Sequence, residues 1–406
     1  MNNFIIEEDY SFSKLVNTAT NYNTLNEFLS FKESFSPYLF DKIVENFNIE
    51  KIHTMYEPFV GTGSIFINNK INRCIGEDTN PLAVQISKAK LDEISFEELE
   101  DSIKLINSLE TVNIQEYEFP VWNSFERYVS KDKYNLVLSF LDLFNFYSIV
   151  CKNFIKMVVV CNLDKIFDYK KDGNGIKFRK SKIEYNDCLL FLKKLVLSAI
   201  NSKKKYQETS KKLSVSIIFD SATNYKEDIN DVDLVISSPP YCNMFDYFEV
   251  YKMELWTSGI IKNNEEHKKL KKSAIRSNVN ANINEDKIKS TTLEICLNQL
   301  IKKHCSTPII KMINNYFYDL NKVLGNVYKY LNDNSYFFIV VGNSFYKGVP
   351  VITDEILSEI GLKNGFTIEK IIKTRKLNTS PQQMYVIDQN NYQYLRESII
   401  VLKKEH

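Results

Sequence analysis

The segment 232-VDLVISSPPY-241 places an apolar run directly before two consecutive prolines and a tyrosine. The run 232-VDLVIS-237 is short and almost continuously apolar, which predicts a fully buried β-strand. Proline donates no backbone hydrogen bond and has a fixed φ angle, so Pro239 and Pro240 must end that strand abruptly. The sequence therefore predicts a buried strand that stops at a rigid corner carrying an aromatic ring.

The bulk composition of the 406-residue chain is that of a soluble globular protein, with 44% hydrophobic residues, 25% charged residues and a formal net charge of +1. This small charge gives no overall cationic field, so any nucleic-acid surface must be a local patch. The seven cysteines form no CxxC pair and the four histidines lie far apart, which argues against a metal site or a disulfide framework. With no signal-peptide pattern and no long apolar run, we expect a cytoplasmic protein without a membrane partner.

Apolar strands alternate with helical patterns at both ends of the chain. The predicted strands are 53-HTMYE-57, 73-RCIGE-77, 215-VSIIFD-220, 232-VDLVIS-237, 335-SYFFIVVG-342, 366-FTIEKIIKT-374 and 397-ESIIVLKK-404. Helices are predicted over 81–94, roughly 308–332 and 351–365, with a helix-compatible segment between the first two strands. This alternation predicts a parallel sheet covered on both faces, with ligand sites at the carboxyl ends of its strands.

Two stretches interrupt the alternation. Residues 99–213 are predicted to be mainly helical and contain a basic, glycine-containing loop, 170-KKDGNGIKFRKSK-182, whereas residues 258–307 are polar and rich in lysine. The resulting division has a first catalytic part, a helical insertion, a central strand pair, a polar insertion and a last catalytic part, over 1–98, 99–213, 214–257, 258–307 and 308–406.

A glycine-containing loop, 57-EPFVGTGS-64, follows the first predicted strand. Gly61 and Gly63 let the backbone turn tightly and approach a ligand, and a helix after them would point its amide groups at that ligand. A tight turn without a ligand is the alternative. The third glycine of the dinucleotide fingerprint is replaced by Phe66, and no P-loop occurs, so nucleotide hydrolysis has no support.

Acidic residues end two of the predicted strands. Asp78, in 76-GEDTNP-81, lies where a ribose diol finds its acceptor in such folds. Asn80 before Pro81 predicts a helix cap, which is compatible with that role. Asp220 could accept a hydrogen bond from an exocyclic amine, and a strand-end acid without a ligand is the alternative.

The proline corner has free hydrogen-bonding groups of its own. Because Pro240 interrupts the strand ladder, the Pro239 carbonyl and the Ser238 hydroxyl remain able to accept from an amino group, and Tyr241 offers a face for stacking. These are the requirements of a site that holds an extruded nucleobase. A purely structural corner is the alternative, which the position of the motif on the third strand from the glycine loop disfavours.

Taken together, these four motifs resemble the amino-methyltransferases of DNA, which use S-adenosylmethionine. The segment 31-FKESFSPYLFDKIVENF-47 and the C-terminal stretches 342-GNSFYKGVPVITDEI-356 and 373-KTRKLNTSPQQ-383 also resemble that family. The resemblance implies a class I methyltransferase: an α/β protein with a mixed seven-stranded sheet, helices on both faces and an antiparallel last strand. It implies S-adenosylmethionine as cofactor and double-stranded DNA as partner.

The resemblance also assigns roles to residues. The catalytic set is Ser238, Pro239, Pro240 and Tyr241. The cofactor-binding set is Phe35, Ser36, Pro37, Glu57, Pro58, Phe59, Gly61, Gly63, Asp78, Asn80, Asp220 and Ser221, where Glu57 stands in a place usually taken by aspartate. The two insertions supply the DNA-binding candidates, whose cations suit phosphate contact or are simply solvated charges. These candidates are Lys170, Lys171, Lys177, Arg179, Lys180, Lys271, Lys272 and Arg276.

The first residue of the tetrapeptide bears on the target base. A serine at position 238 favours cytosine N4, and adenine N6 is the alternative, because Asp or Asn is commoner there in adenine enzymes. No Pro-Cys nucleophile motif is present, so Cys242 is interpreted as a bystander. We therefore expect methylation of a specific duplex sequence in a restriction-modification or host-defence setting, with a cognate endonuclease as a candidate partner. An RNA base or a protein amide as acceptor, or an inactive DNA-binding subunit, are the further alternatives.

Overall fold

The computed structural model describes residues 4–16, 25–29, 34, 36–67, 71–122, 124–211, 213–279, 281, 288–378 and 385–405. The strands over these residues are β1 (Ile6–Glu8), β2 (Thr54–Glu57), β3 (Arg73–Asp78), β4 (Tyr169–Asp172), β5 (Gly175–Phe178), β6 (Ser214–Phe219), β7 (Val232–Ser237), β8 (Leu331–Gly342), β9 (Ser344–Tyr346), β10 (Val349–Val351), β11 (Thr367–Lys376) and β12 (Arg396–Lys403).

The helices surround these strands, and most follow a serine, asparagine or aspartate, the residues that favour the start of a helix. They are α1 (Tyr38–Asn46), α2 (Pro81–Leu91), α3 (Phe96–Ser108), α4 (Lys131–Asp142), α5 (Ile149–Val160), α6 (Leu163–Ile166), α7 (Tyr185–Thr209), α8 (Tyr247–Val250), α9 (Lys252–Thr257), α10 (Asn264–Ser273), α11 (Thr291–Lys302), α12 (Thr307–Tyr330) and α13 (Thr353–Lys363). At α2 the Asn80 side chain accepts from the Leu82 amide at 3.0 Å and Pro81 is the first helical residue, as the sequence predicted.

The central sheet has eight strands among the described residues, in the order β1-β11-β12-β8-β7-β2-β3-β6. Strand β12 is antiparallel to both of its neighbours, and the other pairs are parallel. The class I methyltransferase fold, including its antiparallel last strand, is thus confirmed. Strand β1 is the addition to the seven expected strands, because a three-residue exposed edge strand carries no apolar run for sequence analysis to detect.

Alternation of side chains divides the core between the two faces of the sheet. Tyr56 and Val235 are neighbours in register and pack in one apolar cluster with α12 and α13. Met55 and Leu234, one residue earlier on the same strands, pack on the opposite face with α1. The sheet is therefore covered on both sides, as the nearly continuous apolar strands indicated.

The helical segment α3–α7 shares a core with the rest of the chain. Ile86 of α2, Val158 of α5 and Trp256 of α9 belong to one buried apolar cluster. Helices α2 and α5 are in direct contact along this cluster. The helical layer is thus packed against the helices that flank the sheet.

Two local predictions were wrong. The basic segment within 170–182 is an antiparallel hairpin of β4 and β5, with Gly173 at a φ of +55° in its turn. The sequence 172-DGNG-175 is a strong hairpin signal that the glycine-loop interpretation overlooked. The helix expected after the cofactor glycine loop is a single 3₁₀ turn, Ser64–Phe66. A helix that short presents few aligned amide groups to a ligand.

Candidate active site

A solvent-open cleft lies at the carboxyl ends of β2, β3 and β7, where the glycine loop, the strand-end acid and the proline corner meet. It is lined by Ser34, Phe59, Val60, Gly61, Thr62, Ser64, Ile65, Asp78, Thr79, Asn80, Ser238, Pro240, Tyr247, Phe248, Ala274 and Ile275. The topology thus joins residues from three separate motifs in a single cleft. Its position agrees with the expected place of ligand sites in open α/β sheets.

Asp78 ties the glycine loop to the end of β3. Its Oδ2 accepts from the Gly61 amide at 3.0 Å and its Oδ1 accepts from the Asn80 amide at 2.8 Å. Burial raises the pKa of this carboxyl to about 6, although both backbone hydrogen bonds act to lower it. Gly61 and Gly63 have φ angles of +52° and +64°, a region that favours glycine. The acid therefore shapes the loop as well as facing the cleft.

Two polar atoms near the cleft are buried without a hydrogen-bond partner among the described residues: Glu57 Oε2 and Asn80 Nδ2. The other oxygen of Glu57 accepts from the Phe59 amide at 3.0 Å and from the Ser237 hydroxyl at 2.5 Å. Burial raises the pKa of Glu57 to about 8. Unsatisfied buried polar atoms are costly in a folded protein, so an acceptor and a donor left over beside a cleft favour a polar ligand.

The four corner residues have different exposures to the cleft. Ser238 and Pro240 line it, whereas Pro239 and Tyr241 are not among the lining residues. The Tyr241 hydroxyl donates to Glu397 Oε1 at 2.6 Å. Cys242 is fully buried, and burial raises the pKa of its thiol far above the ordinary value, which agrees with a bystander role.

Asp220 and Ser221 lie outside the cleft. Burial acts to raise the pKa of Asp220, but hydrogen bonds from the Ser221 amide and from Lys226 lower it overall. The Ser221 amide is 2.7 Å away and Lys226 Nζ is 3.1 Å away. Ser221 lines a separate small pocket that also contains Lys272. The carboxylate of Asp220 is therefore already engaged within its own loop.

Among the described residues directly before α1, Ser34 alone reaches the cleft. The Ser36 amide donates to the Leu15 carbonyl at 2.8 Å, its hydroxyl accepts from the Tyr38 amide at 3.3 Å, and Pro37 directly precedes the helix. Neither residue lines the cleft, whereas Ser34 does. Phe35 lies outside the described residues. Pro58 is buried and only its neighbour Phe59 reaches the cleft.

Ten lining residues were not predicted as site residues. Six of them, Ser34, Val60, Thr62, Ser64, Ile65 and Thr79, lie within or next to the motifs already singled out, and the other four come from later segments of the chain. Tyr247 and Phe248 belong to the short helix α8, which Asp246 caps by accepting from the Phe248 and Glu249 amides at 3.1 Å. The sequence signal was present, since a capping aspartate six residues after Pro240 starts a new helix beside the corner. Ala274 and Ile275 come from the polar insertion and have no distinguishing sequence signal.

The candidate DNA-binding cations fall into two groups. Lys170, Lys177, Arg179, Lys180 and Lys272 lie at least partly on the surface. The structure corrects three of the others. Arg276 forms a buried ion pair with Asp319, and Lys171 forms one with the buried Glu254 at 2.6 Å. Lys271 pairs with Glu249 and Asp246.

The three corrected cations connect the insertions to the rest of the fold, because each pairs with a carboxylate that lies outside its own insertion. Their charges are already compensated within the protein. They are therefore unsuited to neutralising DNA phosphates.

Comparison with known proteins identifies the family. The model of the D12 class N6 adenine-specific DNA methyltransferase family matches residues 37–304. The chain belongs to this family. It is 26% identical to the type II methyltransferase M.BsoBI from Geobacillus stearothermophilus, over 93% of this chain and 86% of that protein. It is 23% identical to the type II methyltransferase M.AvaI from Nostoc sp., over 87% and 81% of the two chains.

Among solved structures, the rRNA methyltransferase aviRa from Streptomyces viridochromogenes is 8% identical, with a TM-score of 0.32, over 96% of this chain and 89% of that one. This D12 class protein is a DNA methyltransferase that uses S-adenosylmethionine, as the sequence resemblance implied. The preference for cytosine N4 receives no support from the family match.

None of the helices in the described ranges combines the length and the hydropathy of a membrane span. The same residues hold no cluster of three or more metal-binding side chains.

Proposed function

We propose that the protein methylates the exocyclic amino group of a base in duplex DNA, at the cleft beside the proline corner. The observation that carries this proposal is the meeting of Asp78 with Ser238 and Pro240 in one cleft. A nucleoside cofactor needs a strand-end acid such as Asp78, and a base amine needs the acceptors of the proline corner. No other described pocket combines a glycine loop with a proline corner.

The residues around the loop fit S-adenosylmethionine. Asp78 and the unpartnered Asn80 Nδ2 supply an acceptor and a donor for a ribose, and Phe59 offers an apolar wall. Glu57 Oε2 would accept from the cationic amino group of the methionine part, and that positive charge would favour loss of the proton that Glu57 otherwise holds up to about pH 8. When bound, the cofactor supplies a methyl group on a positively charged sulfur.

The corner residues would orient the base. Ser238 Oγ and the Pro239 carbonyl are the candidate acceptors for the two amine hydrogens, and Tyr241 is the candidate stacking partner. Holding the amine between two acceptors directs its nitrogen toward the methyl group and restrains its rotation. No strong general base is required, since the surplus proton can leave after the transfer.

Two bases fit an exocyclic amine target, and each has one supporting observation. The family description supports adenine N6. A serine rather than an aspartate or asparagine at position 238 supports cytosine N4. The proposal therefore names the exocyclic amine as target, and the modified nucleoside distinguishes the two bases.

The DNA surface is proposed on both sides of α8. Strand β5 of the basic hairpin contacts α8, and so does α10 of the polar insertion. Both cationic segments are thus anchored to the helix whose Tyr247 and Phe248 line the cleft. Lys177, Arg179 and Lys272 are exposed there, and cations flanking a base pocket suit contact with the phosphates on either side of an extruded nucleotide.

Nucleoside mass spectrometry tests the proposal. Unmethylated duplex DNA is incubated with the protein and S-adenosylmethionine, digested and analysed, alongside the Ser238→Ala/Tyr241→Ala double variant. We expect N6-methyladenine or N4-methylcytosine with the intact protein, and at least a hundredfold less with the variant. Methylation of RNA or protein in place of DNA would overturn the choice of substrate, and undiminished activity of the variant would overturn the choice of site.

A type II modification role is proposed from the printed names of the two relatives. Expression in a host without other DNA methyltransferases, followed by mapping of modified bases across the genome, should show one short recognition sequence modified at nearly every occurrence. Scattered modification without a shared sequence would contradict this role. Whether a cognate endonuclease accompanies the protein is then tested by resistance of the modified DNA to cleavage by a co-encoded nuclease.

A further inference from the structure

A buried carboxylate from the last strand of the sheet reaches the proline corner. The Tyr241 hydroxyl donates to Glu397 Oε1 at 2.6 Å, although the two residues are 156 positions apart in the chain. Glu397 is on β12 and is only 1% exposed. A side chain buried this deeply cannot exchange its partners for water without a large cost, so the contact fixes the phenol.

Glu397 is itself held by charge. Arg375 of β11 donates to Oε2 through Nε at 2.5 Å and to Oε1 through Nη2 at 3.1 Å. The neighbouring Thr374 hydroxyl donates to the Glu397 carbonyl at 3.0 Å. A two-point bond from a guanidinium restricts both the position and the rotation of a carboxylate. Glu397 therefore offers Tyr241 an acceptor with a fixed direction.

The ring of Tyr241 is restrained as well. A Cβ atom at Gly342, at the end of β8, would lie 2.9 Å from Tyr241 Cε2 and 3.0 Å from Cδ2. Glycine thus allows the strand backbone to pack directly against the ring, and even an alanine would have to displace it. With its edge against β8 and its hydroxyl on β12, the ring has little freedom to rotate.

The phenol of Tyr241 keeps its proton. Burial and the Glu397 carboxylate raise the pKa of Tyr241 well above its ordinary value. The hydroxyl therefore donates to Glu397 Oε1, and the ring stays uncharged next to Pro240, which lines the cleft.

We propose that Glu397 is a positioning residue for base methylation: it holds the ring of Tyr241 in one orientation, so that an extruded base meets its stacking partner already in place. This inference rests on the proposed function of the corner. Without Glu397, the phenol would lose its charged acceptor and the ring would gain freedom to move. The carboxylate thus determines where the stacking face lies.

The chain offers a matched control. Tyr336 donates to Glu369 at 2.9 Å across β8 and β11, in the same sheet and without a contact to the cleft. The experiment measures single-turnover methyl transfer to the DNA site mapped above, for Glu397→Gln, Tyr241→Phe, the double variant and Glu369→Gln. Cofactor affinity and thermal unfolding are measured for each, so that loss of fold is recognised.

We expect Glu397→Gln to slow methyl transfer by at least tenfold while cofactor affinity changes less than twofold, and Glu369→Gln to leave the rate unchanged. Tyr241→Phe should slow transfer similarly. The double variant should be no slower than Tyr241→Phe alone, because both changes break the same hydrogen bond between Tyr241 and Glu397. Fluorescence of 2-aminopurine at the target position should fall in Glu397→Gln, since the base is held less firmly.

Two outcomes would overturn the inference separately from the proposed function. If the wild type is active and Glu397→Gln transfers the methyl group at the same rate, Glu397 does not act through Tyr241. The same conclusion follows if the losses in the double variant are additive. A wild-type protein that transfers no methyl group to DNA would overturn the proposed function itself, and with it this inference.

Discussion

At the scale of single residues, the main feature of the site is a pair of carboxyl groups at the ends of neighbouring strands. Glu57 and Asp78 end neighbouring parallel strands, Glu57 fully buried and Asp78 half-buried at the cleft, and burial raises both of their pKa values. Each accepts backbone hydrogen bonds that hold the glycine loop in shape. Burying a carboxyl group costs folding stability. Carboxyl groups with perturbed pKa values near a cleft are therefore typical of functional sites.

The raised pKa of Glu57 predicts a pH dependence of stability. Its pKa rises from the ordinary 4.5 to about 8, so between these values the folded protein binds a proton that the unfolded chain has lost. The contribution of Glu57 to stability is therefore full below pH 4.5 and is lost as the pH rises toward 8, by at most about 1.4 kcal/mol per pH unit. In Glu57→Gln this loss should be absent.

Urea denaturation at pH 5.5, 7.0 and 8.5 measures this difference. The free energy of unfolding of Glu57→Gln, relative to the wild type, should increase steadily with pH. Glu45→Gln, which removes an exposed carboxyl on α1, serves as the control for a general effect of removing a carboxyl. If the free energies of unfolding of the wild type and of Glu57→Gln change in parallel across this pH range, the raised pKa of Glu57 is contradicted.

At the scale of elements, the β4–β5 hairpin separates cations by face. Tyr169 and Lys171 point toward α9, where both contact Glu254, at 2.7 Å and 2.6 Å respectively. Lys170 and Lys177 are direct cross-strand partners on the other face. Lys177 also pairs with Asp172 at 2.5 Å, which partly offsets the repulsion between the two lysines, and its side chain remains largely exposed. The outward face is therefore the better candidate for DNA phosphates.

Changes on this face should weaken DNA binding without unfolding the protein. We expect Lys177→Ala/Arg179→Ala to reduce affinity for duplex DNA about tenfold and to make the dependence of affinity on salt concentration shallower. Fluorescence anisotropy at several salt concentrations measures both effects. Lys204→Ala, which removes a partly exposed lysine on α7 that pairs with Glu100, is the control. Equal affinities of the wild type and the hairpin variant would place the DNA elsewhere.

At the scale of the whole molecule, Arg276 connects the polar insertion to the central fold. Its Nε and backbone amide donate to Asp319 Oδ2 at 3.0 and 3.1 Å, and Nη2 donates to Oδ1 at 2.6 Å. Asp319 is on α12, 43 residues later in the chain. The two residues before Arg276, Ala274 and Ile275, form part of the cleft wall. A long-range ion pair thus holds one wall of the active site.

Loss of this pair should therefore affect both stability and cofactor binding. Arg276→Met leaves Asp319 buried without its partner, which typically costs about 3–5 kcal/mol. We expect that loss in urea unfolding, together with weaker S-adenosylmethionine binding by calorimetry. Lys272→Met, a few residues earlier and exposed, should change neither quantity. A stable Arg276→Met variant with impaired DNA binding alone would restore the original phosphate-contact interpretation.

Local sequence patterns determined much of this protein. The apolar runs predicted strands that the structure contains, and the Asn80 cap and the proline corner lie where their sequences indicate. These features depend on backbone geometry and on burial of neighbouring side chains, both of which act over a few residues. The family resemblance joined the motifs into a class I methyltransferase.

Only the tertiary structure decided which charged groups are available. A lysine or arginine has the same local sequence character whether it faces solvent or a buried carboxylate, so Lys171 and Arg276 resembled DNA contacts until their partners were known. Glu397 likewise carries no local signal that it meets Tyr241. These pairings depend on the crossing of distant strands and helices, because Coulomb interactions and hydrogen bonds follow distance in space, not separation along the chain.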